Sequence, residues 1–263
     1  MGKVLITSID IIKKGWQIYS KNFRLFLKPI IILAAISIVY LIFQIVTAYI
    51  NIQSSFLAII TFILAIILVF IYLWMLIVII KLADALYKNQ TIDLVQLYPQ
   101  SMKKVPSFFW VGIVMGLIVL LGLILLIIPG IIFMVWYYFS SYVNVLEKKD
   151  NKGLDALKSS KDLVKGRWFN VVWRLIVPYF IIYLPIYIIE IIILGIIGII
   201  LYALNLDINM MSIILTPLSI ILDIFNIGLI PLFMCFPVIL YNGLKETRSI
   251  EIPKSEIPTQ PAV

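Results

Sequence analysis

Three polar residues, Glu190, Asp223 and Asn226, lie deep inside long apolar runs of the sequence. Asn226 follows Asp223 by three residues, so the two share one face of a helix. No lysine or arginine lies within the same runs to balance a carboxylate. Since an acid at the centre of a bilayer costs at least ~2.5 kcal/mol, such groups usually face a bundle interior or water. The pattern predicts a polar site within the membrane, with one or both acids neutral.

This polar site has two interpretations. It is either a proton- or cation-linked site of a small-solute carrier, or a neutral acid that hydrogen-bonds to a neighbouring helix. Five prolines lie in the same two runs, where they free backbone carbonyls and bend helices, as a cavity or a hinge would require. Kinked helices are also common in bundles without transport activity, so both interpretations stay open.

The sequence lacks most side chains that catalysis and metal binding use. It contains no histidine, the commonest general base and metal ligand, and its single cysteine, Cys235, lies in an apolar run. No phosphate-binding loop, metal-binding motif or nucleophile elbow is present. We therefore predict a non-enzymatic protein without a cofactor or a bound metal. A lipid-modifying enzyme is the weaker alternative, because the sequence shows no cluster of acids.

The composition indicates which elements position these groups. Of the 263 residues, 63% are hydrophobic and 13% are charged, whereas soluble domains carry about 25% charged residues. Apolar runs of about 18 residues or more can cross the ~30 Å hydrocarbon core of a bilayer as helices. We therefore predict an all-α integral protein of the cell membrane.

Six such runs are present, and we expect the first to be a membrane helix rather than the core of a signal peptide. The predicted spans are residues 29–50, 56–80, 108–128, 131–146, 177–203 and 213–241. Only Pro129 and Gly130 separate spans three and four, and this pair predicts a tight reversal. The spans form one membrane domain, residues 1–248, and the tail, residues 249–263, is predicted to be disordered.

The basic residues indicate the orientation of the chain. All 21 lysines and arginines lie before span one, between spans two and three, between spans four and five, or after span six. The positive-inside rule then predicts six crossings with both termini in the cytoplasm. The net charge of +8 is spread over every loop of that side. This distribution favours anionic lipid headgroups over nucleic acid as the partner.

Each odd-numbered span follows a stretch with the periodicity of an amphipathic helix. These stretches are residues 9–21, 92–105 and 154–165, and aromatic residues typical of a membrane interface follow each of them. A unit of one short helix and two spans therefore occurs three times, which allows a pseudo-threefold axis along the membrane normal. The short helices are either connectors on the membrane surface or a docking platform for a protein partner or a lipid headgroup.

Two segments carry a recognisable motif. The first covers residues 127–174. Its candidate interfacial residues are Pro129, Gly130, Glu147, Ser160, Lys165, Gly166, Arg167 and Trp168. The second is Leu240-Tyr241-Asn242-Gly243-Leu244, followed by Arg248. In these residues the chain resembles the membrane domain of glycerophosphoryl diester phosphodiesterases and related stand-alone multi-pass membrane proteins of unknown function.

The resemblance implies a multi-span domain without a well-established activity of its own. It also implies that phosphodiester chemistry belongs to a separate soluble barrel domain with acidic metal ligands and histidines. A sequence without histidine cannot supply that set. We therefore predict an accessory membrane protein that binds lipids or a protein partner through its cytoplasmic amphipathic helices, with a small-solute or proton-coupled carrier as the alternative.

Overall fold

The computed structural model describes residues 5–50, 55–147 and 154–251, and ten α-helices contain nearly all of them. The described residues contain no β-strand. Six segments are helical, long and apolar enough to cross a membrane, which confirms the predicted all-α class with six candidate membrane helices. Of the tail that was predicted to be disordered, residues 249–251 continue the last helix, and the remainder lies outside the described residues.

The helices form three groups in chain order, each with one short helix and a pair of long segments. The first group is α1 (Ser8–Lys21), α2 (Phe23–Ile50) and α3 (Ser55–Tyr87). The second is α4 (Leu94–Met102), α5 (Val105–Leu125) and a fourth span divided into α6 (Ile127–Tyr137) and α7 (Ser140–Leu146). The third is α8 (Leu154–Val164), α9 (Trp168–Ala203) and α10 (Ile208–Glu251).

Side-chain caps define where two of the short helices begin. Thr7 precedes α1 and its hydroxyl accepts a hydrogen bond from the Asp10 amide at 3.2 Å. Asp93 precedes α4 and its carboxylate accepts from the Val95 amide at 2.9 Å. Such caps satisfy amide donors that have no partner within the first turn, and each typically stabilises its helix by about 1 kcal/mol.

The short helices are packed into the bundle along their apolar faces. Each contacts the second span of the preceding group: α4 lies on α3, α8 lies on α6 and α7, and α1 returns to α10. One hydrogen bond marks each contact. Tyr19 Oη donates to the Gly228 carbonyl at 2.8 Å, Trp74 Nε1 to the Tyr98 carbonyl at 2.9 Å, and Ser160 Oγ to the Trp136 carbonyl at 2.7 Å.

The reversal between spans three and four lies at Leu126, and the prediction that Pro129 and Gly130 form it is wrong. Proline fits the first turn of α6 because amides there have no intrahelical partner. A Cβ atom at Gly130 would lie 2.8 Å from the Leu123 backbone nitrogen, so Gly130 allows α5 and α6 to approach closely. The pair therefore shapes the hairpin from within α6.

The last two spans are longer and less interrupted than predicted. α9 contains 36 residues and α10 contains 44, and both continue through their prolines. Residues 168–176, which precede the predicted span, belong to the same helix as the span. Pro237 cannot bond to the Phe233 carbonyl, and that carbonyl instead accepts the Tyr179 hydroxyl at 3.1 Å. A neighbouring helix thus satisfies the group that the proline frees.

Candidate functional site

The polar site predicted within the membrane is assembled in part. Asn226 on α10 donates from Nδ2 to Glu190 Oε1 on α9 at 2.8 Å. The same Nδ2 donates to the Leu222 carbonyl at 3.0 Å, which holds the amide against its own helix. Asn226 Oδ1 is buried and has no hydrogen-bond partner among the described residues. The pair therefore contains one buried acceptor without a partner among the described residues.

Asp223 lies beside this pair without joining it. Its side chain is exposed, and together with Asn226 it lines a cavity of about 910 Å³ between α2, α3, α9 and α10. Most of the cavity wall is aliphatic. Its other polar side chains are Ser37, Tyr40, Tyr72 and Tyr183. A carboxyl and an amide on an otherwise apolar wall can hold a proton, a cation or a small polar solute.

A second carboxyl–amide pair lies at the other end of α10, and sequence reasoning missed it. Asn242 Nδ2 donates to Asp84 Oδ1 on α3 at 2.7 Å and to the Val238 carbonyl at 3.0 Å. Lys88 Nζ lies 2.6 Å from Asp84 Oδ2. The spacing of Asp84 and Lys88 is a local signal for an ion pair, but nothing in the sequence pairs α3 with α10.

Among the predicted motif residues, Glu147 lies directly after α7 and contacts α10. Its Oε1 accepts from the Tyr241 hydroxyl at 3.2 Å and from Lys245 Nζ at 3.0 Å, so it joins the two segments that carry the motif. Both partners belong to α10. The structure therefore brings residue 147 and the 240–248 segment together, across almost a hundred residues of sequence.

The turn between α8 and α9 contributes further contacts to α10. Gly166 has a φ of +80°, a left-handed conformation that favours glycine, and it leads into Arg167. Arg167 Nη1 donates to Thr247 Oγ1 at 2.6 Å. Arg248 Nη2 lies 4.0 Å from Asp162 Oδ2 on α8. We call the end of the bundle formed by α1, α4, α8 and the adjoining termini of α3, α7 and α10 the basic end.

The remaining motif residues are not brought to one place. Ser160 is fully buried and bonds to Trp136, whose ring also contacts Lys161 Nζ at 4.4 Å. Lys165 is exposed, and Trp168 is half-buried with its Nε1 unpartnered within the described residues. Pro129 and Gly130 lie at the opposite end of α6. The motif is therefore a set of separate packing positions rather than one site.

The outward surface of the basic end combines cations with aromatic rings. The exposed lysines include Lys13, Lys14, Lys21, Lys103, Lys158 and Lys165. Trp16, Trp110 and Trp173 are 54%, 57% and 63% exposed at the same end. Lys28 Nζ lies 4.6 Å from the ring centre of Tyr98, and burial raises the pKa of the Tyr98 hydroxyl. This surface suits a boundary between lipid headgroups and hydrocarbon.

The described residues contain no group of three acidic or cysteine side chains that could hold a metal ion. Comparison with protein-family models, with curated proteins and with solved structures finds no match for this chain. The resemblance to the phosphodiesterase membrane domain therefore stays a prediction from the sequence.

Proposed function

We propose that this protein is a non-enzymatic multi-pass protein of the cell membrane that binds anionic phospholipid headgroups through its basic end. In this proposal both termini and the basic end face the cytoplasm. The observation that carries it is the division of the short helices into two faces. α1 and α8 bury apolar side chains in the bundle, and their lysines, together with Lys103 directly after α4, are exposed on the outward surface that also carries exposed tryptophans.

α1 shows this division most clearly. Ile11, Gly15 and Tyr19 are buried on one face, whereas Lys13, Lys14 and Lys21 are exposed. A basic residue near an anionic membrane surface contributes roughly 1 kcal/mol. Three lysines on one rigid helix therefore favour an anionic headgroup over a zwitterionic one by a measurable factor, and salt reduces this preference.

The lipid preference can be tested with the full chain in nanodiscs of mixed phosphatidylglycerol and phosphatidylcholine. We expect native mass spectrometry to show retained phosphatidylglycerol above its share of the mixture. The triple variant Lys13→Gln, Lys14→Gln, Lys21→Gln should lower that enrichment several-fold. Gln17→Ala, on the same exposed face, is the matched control. Equal enrichment in the triple variant and the control would refute headgroup binding by α1.

The proposed orientation has a separate test. Cys235 is buried and is the chain's single cysteine, so a Cys235→Ser background allows single reporter cysteines. We expect Gln90→Cys, in the loop before α4, to react with an impermeant maleimide only from the cytoplasmic side. Asp207→Cys, between α9 and α10, should react only from the other side. Labelling of both positions from one side would overturn the threading.

The three helix groups support a proposed pseudo-threefold repeat. Each short helix packs on the second span of the preceding group, and the third group closes on the first through α1 and α10. This cyclic pattern is the one that three parallel copies of one unit produce. The repeat would present basic residues on α1, directly after α4 and on α8 around one axis, which favours a surface that binds several headgroups at once.

A carrier function is the second candidate, and the Asn226–Glu190 hydrogen bond beside the large cavity favours it. Glu190→Gln and Asp223→Asn should each abolish pH-linked solute flux in reconstituted vesicles. Asp155→Asn, on the exposed surface of α8, is the control that keeps the flux. Flux that is absent in the wild type, or unchanged in both variants, would rule this candidate out.

A further inference from the structure

The tip of the hairpin between α5 and α6 is a continuous exposed apolar surface. Ile124, Leu125, Leu126, Ile127 and Ile128 are consecutive and between 68% and 75% exposed. No charged, hydroxyl or amide side chain occurs from residue 111 to residue 135. An apolar patch of this kind marks a surface that contacts lipid or protein rather than water.

The sequence that joins the helices of the other two pairs has a different composition. Between α2 and α3 it reads Asn51-Ile52-Gln53-Ser54, and the loop after α9 contains Asn205 and Asp207. Both segments carry side chains that water and headgroups solvate well. The loop at Leu126 carries none, so its surroundings differ from theirs.

The length of the hairpin also indicates that its tip lies in different surroundings. α5 contains 21 residues and is therefore about 31 Å long at about 1.5 Å per residue, close to the hydrocarbon thickness of about 30 Å. α9 contains 36 residues, so the same rise gives about 54 Å. The first leg of the hairpin is therefore much shorter than α9, and any tilt keeps its tip short of the far headgroups.

Two backbone hydrogen bonds are made at the turn itself. The Leu126 amide donates to the Gly122 carbonyl at 3.0 Å, and the Leu126 carbonyl accepts from the Gly130 amide at 3.3 Å. Pro129 has no amide hydrogen. Because unsatisfied backbone groups are what usually keeps turns out of hydrocarbon, a turn with these bonds tolerates a lipid environment better than an open loop does.

We infer that α5, α6 and α7 form an inserted hairpin whose tip ends within the hydrocarbon of the far leaflet, where residues 124–128 contact lipid acyl chains. Spans three and four then enter and leave the membrane on the basic side without reaching the far headgroups. The locations of the termini do not change. This inference concerns the depth of the hairpin tip and not the binding of headgroups. It requires only that the bundle lies in a bilayer.

Spin-label depth measurements on the full chain in vesicles test this directly. In the Cys235→Ser background, single cysteines replace Leu126 at the tip, Ile192 in the lipid-facing middle of α9, and Asp207 in the far loop. The accessibility of each label to oxygen and to a water-soluble nickel chelate is then compared. We expect the Leu126 label to resemble Ile192, with high oxygen and low nickel accessibility.

The result is decisive in either direction. Nickel accessibility at Leu126 closer to that of Asp207 than to that of Ile192 would overturn the inference and place the tip in water. Leu126 is exposed, so its replacement removes little packing, and Ile127→Cys provides a second reporter should the first variant fail to fold. Loss of lipid enrichment in the α1 lysine variants would not change this readout.

Discussion

α10 carries the same hydrogen-bonding arrangement twice, sixteen residues apart, in two different surroundings. Asn242 bonds to its own helix at the Val238 carbonyl and to Asp84 of α3, and Asn226 bonds to the Leu222 carbonyl and to Glu190 of α9. Asp84 is 8% exposed and its charge is balanced by Lys88 at 2.6 Å. Glu190 is half-buried, close to an open cavity, and no cation contacts it among the described residues.

The contrast shows how one local motif can be enclosed in the fold at one end and lie beside a cavity at the other. At the basic end, short helices close around the spans, and every bond of the Asp84 pair is made within protein. Towards the far end, the spans separate and leave the cavity that Asp223 lines. Burial and charge balance, rather than the hydrogen bond itself, separate a structural pair from a candidate site.

The largest expected difference between the two pairs is in stability. Asn242→Leu leaves Asp84 buried without its amide donor, so we expect it to lower the free energy of unfolding by about 3 kcal/mol. Asn226→Leu should lower it by less than about 1 kcal/mol, because Glu190 can be solvated from the cavity. Thermal unfolding in one detergent compares the two variants directly. Equal losses would contradict the distinction between the pairs.

Glycines provide a comparison of packing at the two ends. A Cβ at Gly15 in α1 would lie 2.6 Å from the Phe236 ring, whereas one at Gly198 in α9 would meet nothing within 4 Å. We expect Gly15→Ala to destabilise the protein by about 1–2 kcal/mol through overpacking. Gly198→Ala should stabilise it by up to about 1 kcal/mol, because alanine favours helix. Chemical denaturation of both variants measures whether each free energy of unfolding rises or falls. Two decreases of similar size would contradict the packing difference.

The smallest expected effect on the free energy of unfolding comes from the Tyr19 hydroxyl, and this effect depends on pH. Burial and the nearby Cys235 raise the pKa of its hydroxyl above the ordinary value of about 10. At a pH below that ordinary pKa, the hydroxyl is neutral in both the folded and the unfolded state. Its hydrogen bond to the Gly228 carbonyl then contributes about 1 kcal/mol to stability. Above that pKa the unfolded chain ionises first, so this stabilisation is lost as the pH rises through the folded pKa.

Replacing Tyr19 by phenylalanine should therefore cost most below pH ~10, and its difference from the wild type should shrink above that pH. Stability measured between neutral pH and about pH 11 checks the trend. Tyr202→Phe is the control, because Tyr202 is 76% exposed at the far end of α9. A constant difference for Tyr19→Phe over the whole range would show that its hydroxyl does not titrate with folding.

Much of the fold follows from the sequence, because hydrocarbon and water select side chains by position along each helix. The apolar runs predicted all six candidate membrane helices, and short helices are present at all three predicted positions. In span four the polar side chains Ser140, Tyr142 and Asn144 are buried between helices. Asn144 Nδ2 donates to Ser107 Oγ of α5 at 2.7 Å, as expected of an interhelical bond.

The errors share one physical cause. Pro129 was expected to form the turn between spans three and four, yet it lies inside α6, and Pro237 lies inside the continuous α10. In each case the surroundings compensate for the missing amide, through position in the first turn or through the Tyr179 hydroxyl. The sequence alone does not show which residues lie next to each proline in the folded protein. The meeting of Asp84 with Asn242 was missed for the same reason.

The sequence alone determined that this chain is helical, apolar and segregated into basic and non-basic ends, because transfer between water and hydrocarbon depends on each residue separately. Only the tertiary structure decided which of two similar carboxyl–amide pairs is buried and which opens to a cavity. That outcome depends on how closely the helices pack, and α1, α4 and α8 pack against the spans at the end of the bundle that holds the buried pair.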